Sequence, residues 1–216
     1  MRYPYRSPPA YLCHMKILLI GGRGTIGKKL AAALGKLEKT DLIIAGRTSG
    51  DQQVDITSSA SIRDLFGRLP LLDAVVCTAG TGYYGDFQTM TEEQMLPGIK
   101  GKLLGQINVV LIGKDYLREG GSFTLTSGVA AEQPAHNGTT VAMINGAINS
   151  FVLSAAQELK QDKRINAVSP GLVEDSLERY GALFPGSDAV PMTRVVNGYL
   201  RSIFGALNGE IIKVYQ

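Results

Sequence analysis

The sequence predicts an α/β fold: a doubly wound, mainly parallel sheet with helices on both faces. Short apolar runs alternate with stretches of helical spacing from Lys16 to Val214. Such alternation builds βαβ units, whose strands are covered on both sides and read as continuous apolar runs. The runs also stop abruptly, at Gly21, Gly46, Gly80, Gly128 and Pro170-Gly171, where the chain must turn away from a strand. Finally, the 216 residues are 44% hydrophobic and 19% charged, which suits one domain with a sizeable core.

The elements follow in order. Lys16–Ile20 is the first strand, and Leu30–Leu34 resumes with helical spacing after a glycine turn. Leu42–Ala45 is a second strand ending in Gly46-Arg47-Thr48. Ser58 or Ser59 then caps a helix that reaches about Leu69, since a hydroxyl there satisfies a free N–H of the first turn. Asp73–Gly80 is a buried strand stopped by glycine. A helical stretch from Thr91 to Tyr116 is expected to break early, at Pro97, Gly98 and Gly101, because proline removes a donor and glycine weakens a helix. Gly121–Gly128 is the next strand, Thr139–Lys160 the next helix, and Arg164–Gly171 a strand with a proline stop. Two shorter helices, near Glu174–Leu183 and Thr193–Phe204, precede a last strand near Glu210–Val214.

The first turn is the most informative stretch. Gly21, Gly24 and Gly27 follow a G-x-x-G-x-x-G spacing. The first glycine can take positive φ as the chain leaves the strand. The second admits close approach of a pyrophosphate, and the third lets the helix sit against the sheet. Free N–H groups at the helix start, with its dipole, can then hold phosphate, which makes Arg23, Thr25 and Ile26 candidate binding residues too.

Composition excludes several classes. A net charge of +3 with scattered basic residues gives no phosphate-tracking patch, so no nucleic-acid partner is expected. No uninterrupted apolar stretch approaches bilayer-spanning length, so no membrane partner is expected. Two cysteines, Cys13 and Cys77, make no disulfide framework, and His14 and His136 lack neighbours at metal-ligand spacing; no metal is expected. Residues 1–14, with three prolines and three tyrosines and no signal-like apolar segment, read as a flexible arm or as a non-native start before Met15. Residues 15–216 read as a single domain, in the cytoplasm.

In parallel sheets, ligands bind outside the carboxyl ends of the strands. The glycine turn, Arg47, Gly80, Ser127 and Pro170-Gly171 all fall at such ends and should converge on one crevice. At this point the chain resembles the short-chain dehydrogenase/reductase family over roughly residues 15 to 216. Gly21–Gly27 looks like that family's cofactor turn in compact form, and Asp55-Ile56 like its acidic-apolar pair near the adenine. Thr78-Ala79-Gly80 stands where the family has Asn-Ala-Gly. Thr126-Ser127 matches its catalytic-serine strand end, and Asn166–Gly171 its segment beside the nicotinamide. The resemblance implies a Rossmann-like, seven-stranded sheet and a nicotinamide cofactor.

Charge argues for NADP(H). An enzyme that binds NAD places a carboxylate after the second strand to bond the ribose 2′-hydroxyl. Here Gly46-Arg47-Thr48-Ser49 carries none until Asp51. Arg47 can fork onto a 2′-phosphate, Thr48 can add a hydroxyl, and Arg23 supplies a second cation. The catalytic part departs from the family. The resemblance implies a Tyr-x-x-x-Lys pair on the helix after the serine strand, yet Val141 and Asn145 stand at those positions. Ser127 remains to bind a carbonyl oxygen. Lys102 aligns where the family usually has an asparagine and is the candidate proton donor, with Tyr83 and Tyr84 on a loop as further candidates.

Three functions are open, one of them a structural subunit whose cofactor site is vestigial. Another is an atypical NADP(H)-dependent reductase of a small carbonyl compound, with Ser127 and Lys102 catalytic. The third is a non-catalytic NADP(H)-binding sensor on the same fold. Tyr180 and Phe184 lie in an expected substrate lid. The family's habit of pairing long helices implies a homodimer or homotetramer through the Lys102–Leu111 and Ile148–Leu159 faces.

Overall fold

The computed structural model describes residues 14–215; the expected arm falls almost wholly outside them. Seven parallel strands form one sheet in the order β3-β2-β1-β4-β5-β6-β7. They are β1 Met15–Ile20, β2 Thr40–Gly46, β3 Gln52–Gln53, β4 Leu72–Cys77, β5 Leu117–Thr126, β6 Arg164–Pro170 and β7 Ile211–Val214. The two-residue β3 is the strand with no apolar run of its own. It pairs with the last two residues of β2 at the sheet edge, where residue pattern gives no warning.

Alternate residues of β1 feed opposite cores. Leu18 and Ile20 join Phe66, Val109, Ile144 and Ile148 on one face. Ile17 and Leu19 join Leu30, Leu34, Val195 and Tyr199 on the other. A strand covered on both sides needs apolar residues at every position, because successive side chains point opposite ways. The helices that cover it are α1 Thr25–Leu34, α2 Ser59–Gly67, α3 Glu92–Gly98, α4 Gly105–Gly113, α5 Thr139–Glu158, α6 Leu177–Tyr180 and α7 Met192–Phe204. Ser58 caps α2, its Oγ accepting from Ser61 N at 3.3 Å.

The long stretch 91–116 breaks as a widening, not a gap. α3 passes at Ile99–Leu104 into π-helical turns and then into α4. Pro97, inside α3, offers no N–H, and the wider turn accommodates the lost bond. That wide turn carries Lys102. The expected helix after Glu174 is also divided, into two short 3₁₀ turns flanking α6. α5, at 20 residues, is by length and composition apolar enough to cross a membrane, which corrects the reading that no such stretch exists. Its inner residues Ile144, Ile148 and Val152 are fully buried against the sheet.

Polar latches tie the late elements together. The Arg164 guanidinium, at the start of β6, donates to the carbonyl oxygens of Ser202, Ile203 and Leu207 at 2.8–3.1 Å. It thereby closes the end of α7, whose last carbonyls have no helical partner. Glu132, just beyond β5, accepts from Lys213 at 2.7 Å and Tyr215 at 2.9 Å.

Candidate active site

Two cavities lie along the carboxyl ends of the strands, one on each side of the glycine turn. The first, about 510 Å³, is bordered by Gly21, Arg47, Asp55, Ile56, Ala79 and Gly80. The second, about 160 Å³, is bordered among others by Ile26, Lys102, Ser127, Asn145, Pro170 and Gly171. Sequence-predicted residues from seven stretches of the chain thus line these two cavities. Six do not border either cavity: Arg23 and Gly24 sit on the turn, Thr25 and Gly27 in the first turn of α1, Thr48 on the exposed loop after β2, and Tyr83 on the loop after β4.

The turn is shaped by backbone. Gly21 has φ +86°, and a Cβ on Gly27 would run into the Gly21 carbonyl oxygen, so that helix and turn touch only because the side chain is missing. The start of α1 has no side-chain cap and no acidic residue in its first turn. Its leading N–H groups therefore remain available to an anion.

In the larger cavity Arg47 is joined by Lys100, a second cation that sequence reading passed over because it lies far away in the chain. The nearest carboxylate after β2, Asp51, is engaged elsewhere: its Oδ2 accepts from Ile44 N at 2.8 Å. Asp55 accepts from Thr57 N at 2.9 Å and Thr57 Oγ1 at 2.8 Å. These bonds hold its carboxyl below the usual range, with a small added pull from Arg47.

The smaller cavity is defined by side chains. Ser127 ends β5, its N–H bonded to Val168 O at 2.9 Å. Buried Gln106 on α4 grips the preceding residue twice, donating to Thr126 O at 2.9 Å and accepting from Thr126 N at 2.8 Å. Sequence reasoning missed Gln106, although a lone amide in an apolar helical run is the signal for such a clamp. Ser127 Oγ has no hydrogen-bond partner and the residue is 3% exposed. A buried hydroxyl left unpaired is costly; among the described residues Ser122 Oγ and Asn149 Oδ1 share that state, and of the three only Ser127 borders this cavity.

Lys102 reaches the same place, its Nζ donating to Asn145 Oδ1 at 2.7 Å and to Ser127 O at 3.1 Å. Burial of the ammonium lowers its pKa from 10.5 to about 8, opposed weakly by Cys77. Tyr84 and Tyr180 roof the cavity, their ring centroids 5.5 Å apart, and Phe184 borders it as expected of the lid. Tyr83 does not border the cavity; its ring lies against Gly85. Val141 and Asn145 both face the cavity from α5.

The family model for enoyl-(acyl carrier protein) reductases matches residues 28–191, about three quarters of the chain. The chain belongs to the short-chain dehydrogenase/reductase family. Among solved structures of this kind, the protein lin1944 from Listeria innocua is 42% identical. It superposes with a TM-score of 0.90, over 93% of this chain and 100% of that one. A small-chain dehydrogenase solved in complex with NADPH is 28% identical, with a TM-score of 0.82, over 93% of this chain and 96% of that one. The short-chain dehydrogenase/reductase ucsE of Acremonium sp is 30% identical over 105 residues, which span 47% of this chain and only 39% of that protein. The family is one of oxidoreductases, and the second of these solved relatives was determined with NADPH bound. The uncapped helix start, the Gly21–Gly27 contact and the cavity at Arg47 fit a dinucleotide laid across the crevice.

Proposed function

We propose that the protein is an NADP(H)-dependent reductase of small carbonyl compounds that works without a Tyr-x-x-x-Lys pair. The unpaired Ser127 hydroxyl carries this reading: it is a hydrogen-bond donor with no internal partner, on the wall shared with Lys102. Arg47 and Lys100 favour a 2′-phosphate, since Asp51 is turned to Ile44 N and no other acid borders that side except Asp55.

The cofactor, when bound, supplies hydride. Gly21–Gly27 and the start of α1 would hold its pyrophosphate, Arg47 its adenosine end, and Pro170-Gly171 its nicotinamide side. Ser127 donates to the substrate oxygen and Lys102 completes that oxygen's protonation. Val129, Val141, Leu172 and the aromatic rings give the cavity an apolar lining, which strengthens both bonds. The cavity suits small, largely apolar carbonyl compounds.

Exposed Leu104, Leu111 and Leu153 on the π turn, α4 and α5 support self-association through these helices, as a dimer or tetramer in the cytoplasm; light scattering on the purified chain tests it. The deciding experiment is a thermal-shift titration with NADPH and NADH, followed by NADPH oxidation across a carbonyl panel. NADPH at about 100 times its dissociation constant should stabilise the fold by about 2.7 kcal/mol, with little effect of NADH, and carbonyls should be turned over. Binding without turnover of any carbonyl would make the protein a sensor, the reading favoured by Val141 and Asn145 on α5.

A further inference from the structure

Lys102 and Asn145 lie 43 positions apart and meet at the base of the Ser127 cavity. An ammonium has three N–H donors and no acceptor. Two of these are committed: one to Asn145 Oδ1 at 2.7 Å, one to Ser127 O at 3.1 Å. Both acceptors are neutral, and no Asp or Glu borders the cavity. The third donor is left for a ligand.

The backbone is cut back on both sides of the pair. A Cβ on Gly80, at φ +114°, would stand 2.7 Å from Lys102 Cα and Cβ, and one on Gly128 would stand 2.9 Å from Asn145 Nδ2. Both distances are well inside van der Waals contact. The ends of β4 and β5 are therefore glycines where the stems of Lys102 and Asn145 pass. Asn145 itself is 2% exposed.

We propose that Asn145 is a positioning residue: with the Ser127 carbonyl it fixes the Lys102 amine in both of its protonation states, so that in the ammonium the third N–H points at the substrate oxygen and is the one transferred. The proposal rests on the reductase reading. As the carbonyl carbon takes hydride, its π electrons move to oxygen, the third N–H bond of Lys102 breaks and an O–H bond forms. The neutral amine that remains still has two N–H donors, enough to keep both fixed bonds, and solvent returns the lost proton. A carboxylate in place of Asn145 would hold the proton too tightly to release it; an apolar residue would let the amine turn. Of the titratable neighbours, Cys77 opposes the effect of burial on Lys102. Cys77 on β4 is pushed up to about 12 by burial, and Tyr84 on the following loop is raised by burial as well; Tyr180 comes from the lid.

The test is pulse-labelling of Lys102 with limiting acetic anhydride across pH, read by peptide mass spectrometry. The full chain is used, as wild type, Asn145→Asp and Asn145→Leu, with the NADPH thermal shift confirming that each variant is folded. In the wild type, labelling should rise through a midpoint near 8. In Asn145→Asp the midpoint should move up by about 1–3 pH units, and the alkaline limb of any reductase activity should move with it. In Asn145→Leu it should move down. Midpoints that stay together in folded variants overturn the proposal whatever the activity. Absence of carbonyl turnover by the wild type overturns the reductase reading, which the labelling does not measure.

Discussion

The two ends of the crevice are built from different material. At the glycine turn the binding groups are backbone N–H, and what matters is the absence of side chains, as at Gly27 against Gly21 O. At the Ser127 cavity one side chain, Lys102, reaches the Asn145 side chain at 2.7 Å and the Ser127 backbone carbonyl at 3.1 Å, across 43 and 25 positions of sequence. A backbone site fails when an atom is added; a side-chain site fails when one is taken away. The first resists change in composition around it, whereas the second can exchange its chemistry without altering the fold.

This contrast can be broken by substitution. The largest effect is expected from Gly27→Val, whose side chain has no room beside the Gly21 carbonyl; the NADPH thermal shift should vanish, and a retained shift would show that the turn is not the phosphate site. Lys102→Met should leave that shift intact while lowering reduction by about 10²–10⁴, the usual worth of a general acid. In the wild type, reduction should fall as pH rises through about 8, where the ammonium loses its proton. The reverse oxidation should gain over the same range, and a rate flat from pH 7 to 9 in both directions would remove Lys102 from the chemistry. Arg47→Ala should weaken NADPH by about 10–100-fold, the worth of a charge-assisted contact, and leave NADH nearly unchanged; equal losses for both would deny it a role at the 2′-phosphate.

Arg164→Met is the smallest and serves as the contrast's control. Losing three bonds to the end of α7 should cost about 2–3 kcal/mol of stability in denaturant titration. It should change neither cofactor preference nor pH profile, because Arg164 touches neither cavity.

The same contrast explains what could be read in advance. The sheet was legible because strands covered on both faces must be apolar throughout, as β1 is, and the turn because glycine spacing records backbone geometry directly. Edge strand β3 was not: Gln52 and Gln53 have a place only because β2 ends beside them. Lys102 and Ser127 could be named separately from strand and helix ends, but not their meeting through Asn145, since a four-carbon stem on a π turn reaches a direction that helical periodicity does not predict. Gln106 and Lys100 were passed over because each meets residues distant in sequence, Gln106 at Thr126 and Lys100 at the cavity of Arg47.

The Glu132 bracket has a consequence for the order in which the working parts come into being. A chain made from its amino end completes β1, the glycine turn and then β4 early, and these can pair as soon as they are free. The turn bearing Ser127 follows, but the two bonds that hold Glu132 beyond it come from Lys213 and Tyr215. Until those residues have left the ribosome, the loop after Ser127 lacks its outer anchor. A message truncated before Lys213 would lose both bonds to Glu132 and, with them, the β7 residues that pair with Ser169 and Pro170.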